Sequence, residues 1–428
     1  MDSHFRSLRE ASGNDRRNML DINYIKENLE KVKKSVQDRK LDVDLDKLIN
    51  LDEERRGLIQ KVGELRAKRN EAAKNRDVEA GKKIKEELDG LEKKLKEFER
   101  EWNDLMLQVP NVLMDEVPIG DASANKIIRK EGNPPKFSFK AKDHIELGKM
   151  LDIIDFERGV KVSGFRGYYL KNEGAKLHWT VLNFALDHIK QKGYQVVVPP
   201  VINRGFALEG GGQFPWGRED TYKVGDDEYL VGTSEIALMA LHSGETFELK
   251  DLPRKYVALS PCFRTEIGSY GKDTKGLYRV HEFYKVEQII LCEADEQESL
   301  GFFEELQGNA EEILDMFGLP YQVVILSSQD LGKKSALTYD IETWMPSREG
   351  YGETHSNSIC LDFQTRRLKI KYRGKDDNTK FCHALNNTAI ASPRILIALL
   401  ENFQNEDGSV KIPEVLQKYT GFSEIRPK

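Results

Sequence analysis

Cysteine is scarce in this chain: Cys262, Cys292, Cys360 and Cys382 are the only four in 428 residues, and none forms a C-x-x-C pair. That excludes a disulfide framework, argues for a reducing compartment and leads us to expect no zinc. Long apolar runs are missing too. No stretch approaches the roughly 18 residues needed to cross a bilayer, so no membrane partner is expected. Neither G-x-G-x-x-G nor the P-loop pattern occurs, which removes the two commonest glycine-rich phosphate cradles. A charge excess of one sign is also lacking. Charged residues make up 32% of the chain, yet the net charge is −6. Any binding of a polyanion must therefore rest on a local patch.

The length allows two or three domains. Residues 1–18 are polar, without the apolar segment of a secretory signal. Arg6, Arg9, Arg16 and Arg17 invite a transit-peptide reading, which Asp2, Glu10 and Asp15 weaken. A disordered extension, or a start codon assigned too early ahead of Met19, is expected instead. From Leu48 a heptad begins, with Leu48, Leu51, Arg55, Leu58, Val62, Leu65, Arg69 and Ala72 stepping by three and four. Ile84, Leu88, Leu91, Leu95, Phe98, Trp102 and Leu105 continue it after a break at 75–81. Sustained spacing of this kind in a charged background predicts an antiparallel coiled-coil hairpin, its helices about 40 Å long, within an arm at 19–108. Between Arg66 and Glu86 there are eight basic and four acidic residues, a local excess of +4 on an acidic protein. An ordinary solvated helix face has such charges. So does a surface that grips a phosphate backbone, for which Lys68, Arg69, Lys82 and Lys83 are the candidates.

Residues 109–136 are rich in Pro, Gly and Asn with no helical period, and read as a linker. The rest, 137–428, mixes both periods. A helix is predicted over 174–191, with Gly193 at its C-terminal end, followed by a strand at 194–198 that stops at Pro199-Pro200. Next come a short strand at 228–231 and Gly232-Thr233-Ser234-Glu235, which by itself is a capped helix start. Residues 262–266 and 281–287 alternate polar and apolar around a loop containing Gly268, Gly271, Lys272, Lys275 and Gly276, and predict a hairpin with a mobile tip. Its residues Arg264, Glu266, Glu287 and Phe283 can serve a charged surface. They can equally grip a phosphate or carboxylate and stack on a base. A helix at 293–317 and strands at 321–326 and 339–345 follow. Glu353 and Ser356 stand in a run of hydroxyl residues, and Arg394 heads an apolar helix, where a cation opposes the helix dipole unless an anion lies nearby.

FRTE, the Gly/Lys loop and RVHEFYKVE resemble motif 2 of the class II aminoacyl-tRNA synthetases, and within them the seryl-tRNA synthetases. The resemblance runs from about Leu20 to the C-terminus. Residues 174–200 resemble motif 1, and HALNNTAIASPR resembles motif 3. It implies an α+β fold: an antiparallel sheet with flanking helices, preceded by a helical arm that holds tRNA. It implies ligation of L-serine to tRNA(Ser) through a seryl-adenylate, with tRNA(Sec) as a further acceptor to be tested. ATP would be the second substrate and Mg²⁺ the metal, in a cytoplasmic homodimer. Arg264, Glu353 and Arg394 would be catalytic. ATP would meet Arg264, Thr265, Glu266, Val280, His281, Glu282, Phe283, Glu353, Thr354, His355, Ser356 and Arg394, with Phe283 and Arg394 sandwiching the base. Serine would meet Thr233, Ser234, Glu235, Arg264, Glu287 and Thr388, and Mg²⁺ would meet Glu353 and Ser356.

The chain departs from the family pattern in several places. The arm looks about a dozen residues shorter than the usual bacterial form. His355, Ile359 and Leu361 replace Ser, Asn and Thr, and Asn387 stands where Gly is frequent. His355 reads as a satisfied histidine behind the ligand-contacting residues, or on the surface, rather than as a metal ligand. Two rivals stay open, a paralogue that charges a carrier protein and a non-catalytic coiled-coil scaffold.

Overall fold

The computed structural model describes residues 21–267 and 275–427. The expectations for residues 1–18 and for Gly268, Gly271 and Lys272 lie outside them. The chain divides into two compact units, one spanning Asn18–Val112 and the other holding Leu113–Lys428.

The first unit is helical. Short helices α1 (Ile22–Glu27) and α2 (Leu29–Asp38) precede two long ones, α3 (Leu45–Lys74) and α4 (Val78–Gln108). The Asp44 and Asp77 side chains accept the N–H groups of Lys47 and Ala80, satisfying free donors at the two helix starts. Only residues 75–77 separate α3 from α4, so Gly81, expected in the break, is helical. At 1.5 Å per residue each helix is about 45 Å long. The pair runs antiparallel: the Arg55 guanidinium lies 4.3 Å from the Trp102 ring centroid, and Arg66 pairs with Glu92 at 2.8 Å. Leu48, Leu51, Leu58, Val62, Leu65 and Ala72 are buried, as are Leu88, Trp102 and Met106 on the facing helix. Arg55, an oddity in an apolar heptad, is explained by Asp52, which it meets at 2.9 Å. Arg69 is exposed, although the next heptad position, Ala72, is buried.

The second unit is built on an eight-stranded sheet. Its strands are β1 (Lys126–Glu131), β2 (Gln195–Val196), β3 (Arg254–Phe263), β4 (Glu282–Cys292), β5 (Tyr321–Ile325), β6 (Leu337–Met345), β7 (Gly350–Leu361) and β8 (His383–Ser392). The spatial order is β1-β5-β6-β7-β8-β4-β3-β2, antiparallel throughout except where β2 runs parallel to β3. The architecture is α+β. One expectation needs amending: the stretch 109–136 contributes edge strand β1, paired with β5. Its sequence KIIRKE has no alternation because an edge strand with exposed Ile127 and Ile128 needs none.

Helices α5 (Asn172–Gln191) and α7 (Glu296–Phe317) flank this sheet, with α6 (Glu235–Ala240) between them in sequence. Two more, α8 (Phe363–Leu368) and α9 (Arg394–Asn402), follow later in the chain. The α7 residues Phe303, Leu306, Ala310, Ile313 and Leu314 are fully buried. Strand alternation assigns the two faces of the sheet. Gln288, Asn357 and Asn387 turn to α7, where their side-chain amides reach the carbonyls of Leu306, Phe303 and Leu306. Their neighbours Glu287, Ser356, Ser358, Asn386 and Thr388 turn to the opposite side and line a cavity. No helix among the described residues is long and apolar enough to cross a membrane.

Candidate active site

The cavity on the open face of the sheet measures about 410 Å³. Strands β4 and β8 supply its floor, with Glu287 directly opposite Thr388 in register. The Thr388 hydroxyl donates to Glu287 Oε2 at 3.3 Å, and the same oxygen meets Lys285 Nζ at 2.5 Å. Glu287 is 1% exposed. Burial pushes its carboxyl above the usual range, with Lys285 pulling the other way and neighbouring Glu235 reinforcing the rise. Period two explains why Lys285 and Glu287 share a face.

A second buried ion pair lies beside the first. Glu235, at the first position of α6, meets Lys334 Nζ and takes a hydrogen bond of 2.7 Å from Gln364 of α8. Its own N–H donates to the Thr233 hydroxyl at 3.2 Å. Thr233, one residue ahead of the cap position, therefore does the local capping, and Ser234 does not.

Arg264 lies just past the end of β3. Its Nε donates to the Gly232 carbonyl at 3.3 Å, and its guanidinium sits 5.2 Å from the Phe283 ring centroid. The following turn is held by Asp220, whose Oδ1 accepts from the Glu266 N–H at 2.7 Å and the Thr265 hydroxyl at 3.2 Å. Glu266 pairs with Arg279 at 3.0 Å. Beyond the loop, Gly276 adopts φ +72°, and a Cβ there would collide with the His144 ring. That ring accepts the Leu277 N–H at 3.1 Å through Nε2 and meets Glu401 at 2.9 Å through Nδ1. Glu401 belongs to α9, so His144 ties the end of the hairpin loop to the helix that Arg394 begins.

Arg394 donates to the carbonyls of Tyr278 at 3.1 Å and Glu353 at 3.0 Å, and lies 4.4 Å from the Tyr278 ring centroid. Its guanidinium also meets the Glu353 carboxylate at 3.3 Å. On the adjacent wall Asp340 is buried, and its Oδ1 has no hydrogen-bond partner among the described residues. Burial, then repulsion by Glu353, holds its carboxyl well above the carboxylate range. His355 is 2% exposed, with Nδ1 at 2.8 Å from the Thr354 hydroxyl. Burial pulls its pKa down to about 3, so the ring is neutral at physiological pH. The alternative of a surface histidine is thereby removed.

One cavity thus gathers Thr233, Glu235, Arg264, Glu266, Val280, Phe283, Glu287, Glu353, Thr354, His355, Ser356, Thr388 and Arg394 from segments up to 161 positions apart. It does not include four of the expected residues. Ser234 is fully buried, and its hydroxyl has no partner among the described residues. The Thr265 hydroxyl is turned to Asp220 and the Glu219 carbonyl. His281 and Glu282 border a separate hollow with Tyr168 and Trp179. Arg264 faces the Phe283 ring and Arg394 the Tyr278 ring, and both members of the expected sandwich around a base, Phe283 and Arg394, line the cavity. Lys68, Arg69, Lys82 and Lys83 are exposed on the helical unit.

Sequence reasoning missed Gln213, Tyr278, Lys285, Lys334 and Asp340, all of which line the cavity. Alternation could have found Lys285, two residues from Glu287. Nothing in the pattern marks Lys334, which stands between β5 and β6.

Residues 221–403 match the tRNA synthetase class II core domain (G, H, P, S and T), and residues 19–113 match the seryl-tRNA synthetase N-terminal domain. The chain is 45% identical to the serine–tRNA ligase of Borreliella afzelii (strain PKo), over 95% of this chain and 99% of that one. The chain belongs to the seryl-tRNA synthetase family. It is 42% identical to the serine–tRNA ligase of Nitrosopumilus maritimus (strain SCM1), over 94% and 99% of the two chains. The crystal structure of seryl-tRNA synthetase from Pyrococcus horikoshii, complexed with ATP, superposes with a TM-score of 0.87 at 38% identity, covering 96% of this chain and all of that one. Family membership agrees with the architecture: an antiparallel sheet carrying the site, and a helical unit at the N-terminal end.

Proposed function

We propose that this chain attaches L-serine to tRNA(Ser) in two ATP-dependent steps, with tRNA(Sec) as a second acceptor to be tested. The observation that carries the serine assignment is the Glu287–Thr388 pair, a buried carboxylate and hydroxyl at the floor of the cavity that Arg264 also lines. Such a floor suits a small hydroxylated side chain, because a ligand without a hydroxyl would leave buried polar atoms unpaired.

In the first step a serine carboxylate oxygen attacks the α-phosphorus of ATP, the bond to the β-phosphate oxygen breaks, and pyrophosphate leaves. Arg264 orients the carboxylate and stabilises charge developing on the α-phosphate, and Glu235 receives the ammonium. Phe283 and Glu266 offer a ring and a carboxylate to the adenine, and Arg394 meets the γ-phosphate. In the second step the 3′-terminal ribose hydroxyl of tRNA attacks the seryl carbonyl and AMP leaves. The work is positioning and electrostatics, with no side-chain nucleophile required.

Glu353, Ser356 and Asp340 form an oxygen-only donor set, and the buried, unpartnered Asp340 Oδ1 suits a hard divalent cation. Mg²⁺ bound there would neutralise phosphate charge.

The helical unit, with Lys68, Arg69, Lys82 and Lys83 exposed, is the candidate tRNA grip. Exposed Phe165, Tyr169 and Trp179, near the motif 1 helix α5, support a homodimer. We place the enzyme in the cytoplasm, in keeping with four buried free thiols. The deciding experiment is amino-acid-dependent pyrophosphate exchange across a panel of amino acids, with and without tRNA. Serine-specific exchange is expected. Exchange with another amino acid and none with serine would overturn the assignment.

A further inference from the structure

The amino-acid end of the cavity holds two buried lysine–glutamate pairs, Lys285–Glu287 and Lys334–Glu235, where the proposed reading needs only the two glutamates. We propose that Lys334 is a specificity-setting positioning residue of the amino-acid site: it holds and orients the Glu235 carboxylate, so that one carboxylate oxygen receives the α-ammonium of a small amino acid. This inference rests on the functional reading above.

Three observations carry it. Lys334 Nζ and Gln364 Nε2 both engage Oε1 of Glu235, which leaves Oε2 as the acceptor for a ligand ammonium. The Gln364 amide also donates to the Gly211 carbonyl at 2.8 Å, so it is held from both sides and cannot follow a wandering carboxylate.

The segment that carries Lys334 is firmly tied. Ser327 Oγ donates to the Asp121 carbonyl at 2.7 Å, Ser328 N–H to the Pro118 carbonyl at 2.8 Å and Ala336 N–H to the Ile359 carbonyl at 2.8 Å. The ammonium is therefore delivered from a fixed backbone.

Glu235 and Glu287 are 3% and 1% exposed and feel one another's charge. Two carboxylates desolvated together cannot both stay ionised unless cations accompany them. Lys285 accompanies Glu287 and Lys334 accompanies Glu235. Burial would drive the Lys334 ammonium toward its neutral form, but the carboxylate of Glu235, with smaller help from Cys360 and Glu287, keeps its pKa raised. The four charges cancel, and Arg264 is left as the net cation for the substrate carboxylate. A zwitterion then finds one anionic oxygen and one guanidinium, spaced by side chains that are already locked.

The test is serine-dependent pyrophosphate exchange by the full-length protein, comparing wild type with Lys334→Met and Lys334→Arg, as a function of pH. Lys334→Met is expected to raise KM for serine about tenfold or more while KM for ATP changes less than about threefold. The acid limb of kcat/KM for serine should move up by about one pH unit or more, because the Lys334 charge pulls down the raised carboxyl of Glu287 and its loss lets that carboxyl rise further. Lys334→Arg keeps the charge and should restore the acid limb. Circular dichroism and serine binding by calorimetry keep the question answerable if Lys334→Met is poorly folded, because Lys334→Gln then takes its place. A serine KM within twofold of wild type with an unmoved acid limb overturns the proposal. So does a parallel rise in both KM values, which marks a general structural defect. Absence of serine-dependent exchange by wild type would instead sink the functional reading.

Discussion

The two units bury charge in different ways. In the helical unit, buried Asp52 is surrounded by cations: Arg55 at 2.9 Å, Lys26 at 3.0 Å and Arg56 at 3.0 Å. Burial pushes its carboxyl up, but Arg55, Lys26 and Arg56 outweigh that and hold its pKa below the usual value. In the sheet unit Glu287 and Asp340 are held above the usual range, because burial wins over the partners present. Three cations over-compensate the structural carboxylate Asp52, whereas the ion pair with Lys285 does not offset the burial of Glu287. The difference separates scaffold from site without reference to any relative.

The sharpest test of that contrast is selectivity. Because Glu287 and Thr388 present buried polar atoms, alanine is expected to be rejected relative to serine by about 10⁴-fold in kcat/KM. Comparable values for the two would contradict the pocket assignment. Arg264→Ala comes next, with pyrophosphate exchange expected to fall about 10²-fold or more, the scale of one lost transition-state donor. Exchange within about threefold of wild type would remove Arg264 from the mechanism.

On the scaffold side, Asp52→Ala strips a buried pair and should lower stability by about 3 kcal/mol, read by thermal unfolding. Since the folded pKa of Asp52 is depressed, its contribution is complete above the unfolded value near 3.9. It is lost as pH falls through the lower folded value. A variant as stable as wild type at pH 7 would show that the over-compensation carries no weight.

Removing residues 51–105 behind a short flexible linker should spare serine-dependent exchange while lowering aminoacylation about tenfold or more, as the phosphate contacts disappear. Full aminoacylation by that protein would end the tRNA-arm reading. The smallest expected effect belongs to charge reversal at Lys68, Arg69, Lys82 and Lys83. Each lost contact should flatten the salt dependence of tRNA binding by roughly one unit of slope. An unchanged slope would move the contacts elsewhere on the arm.

Local pattern and covalent preference determined a good deal by themselves. Heptads at Leu48–Leu65 and Leu88–Trp102 specify two packed helices, because side chains three and four apart share one face. Gly193 and Gly318, at φ +90° and +70°, follow the helices that the spacing predicts, since only a residue without Cβ turns so cheaply there. Alternation in 281–287 specifies strand β4 and, with it, the shared face of Lys285 and Glu287. Tertiary structure alone decided the rest. KIIRKE became a strand because β5 offered it an unpaired edge. Arg264 came to face Phe283, and Arg394 Tyr278, through loop ends fixed by Asp220 and His144. Lys334 reached Glu235 across 99 positions of sequence. That contact depends on where β5 and β6 set down their connecting segment, and no periodicity records it.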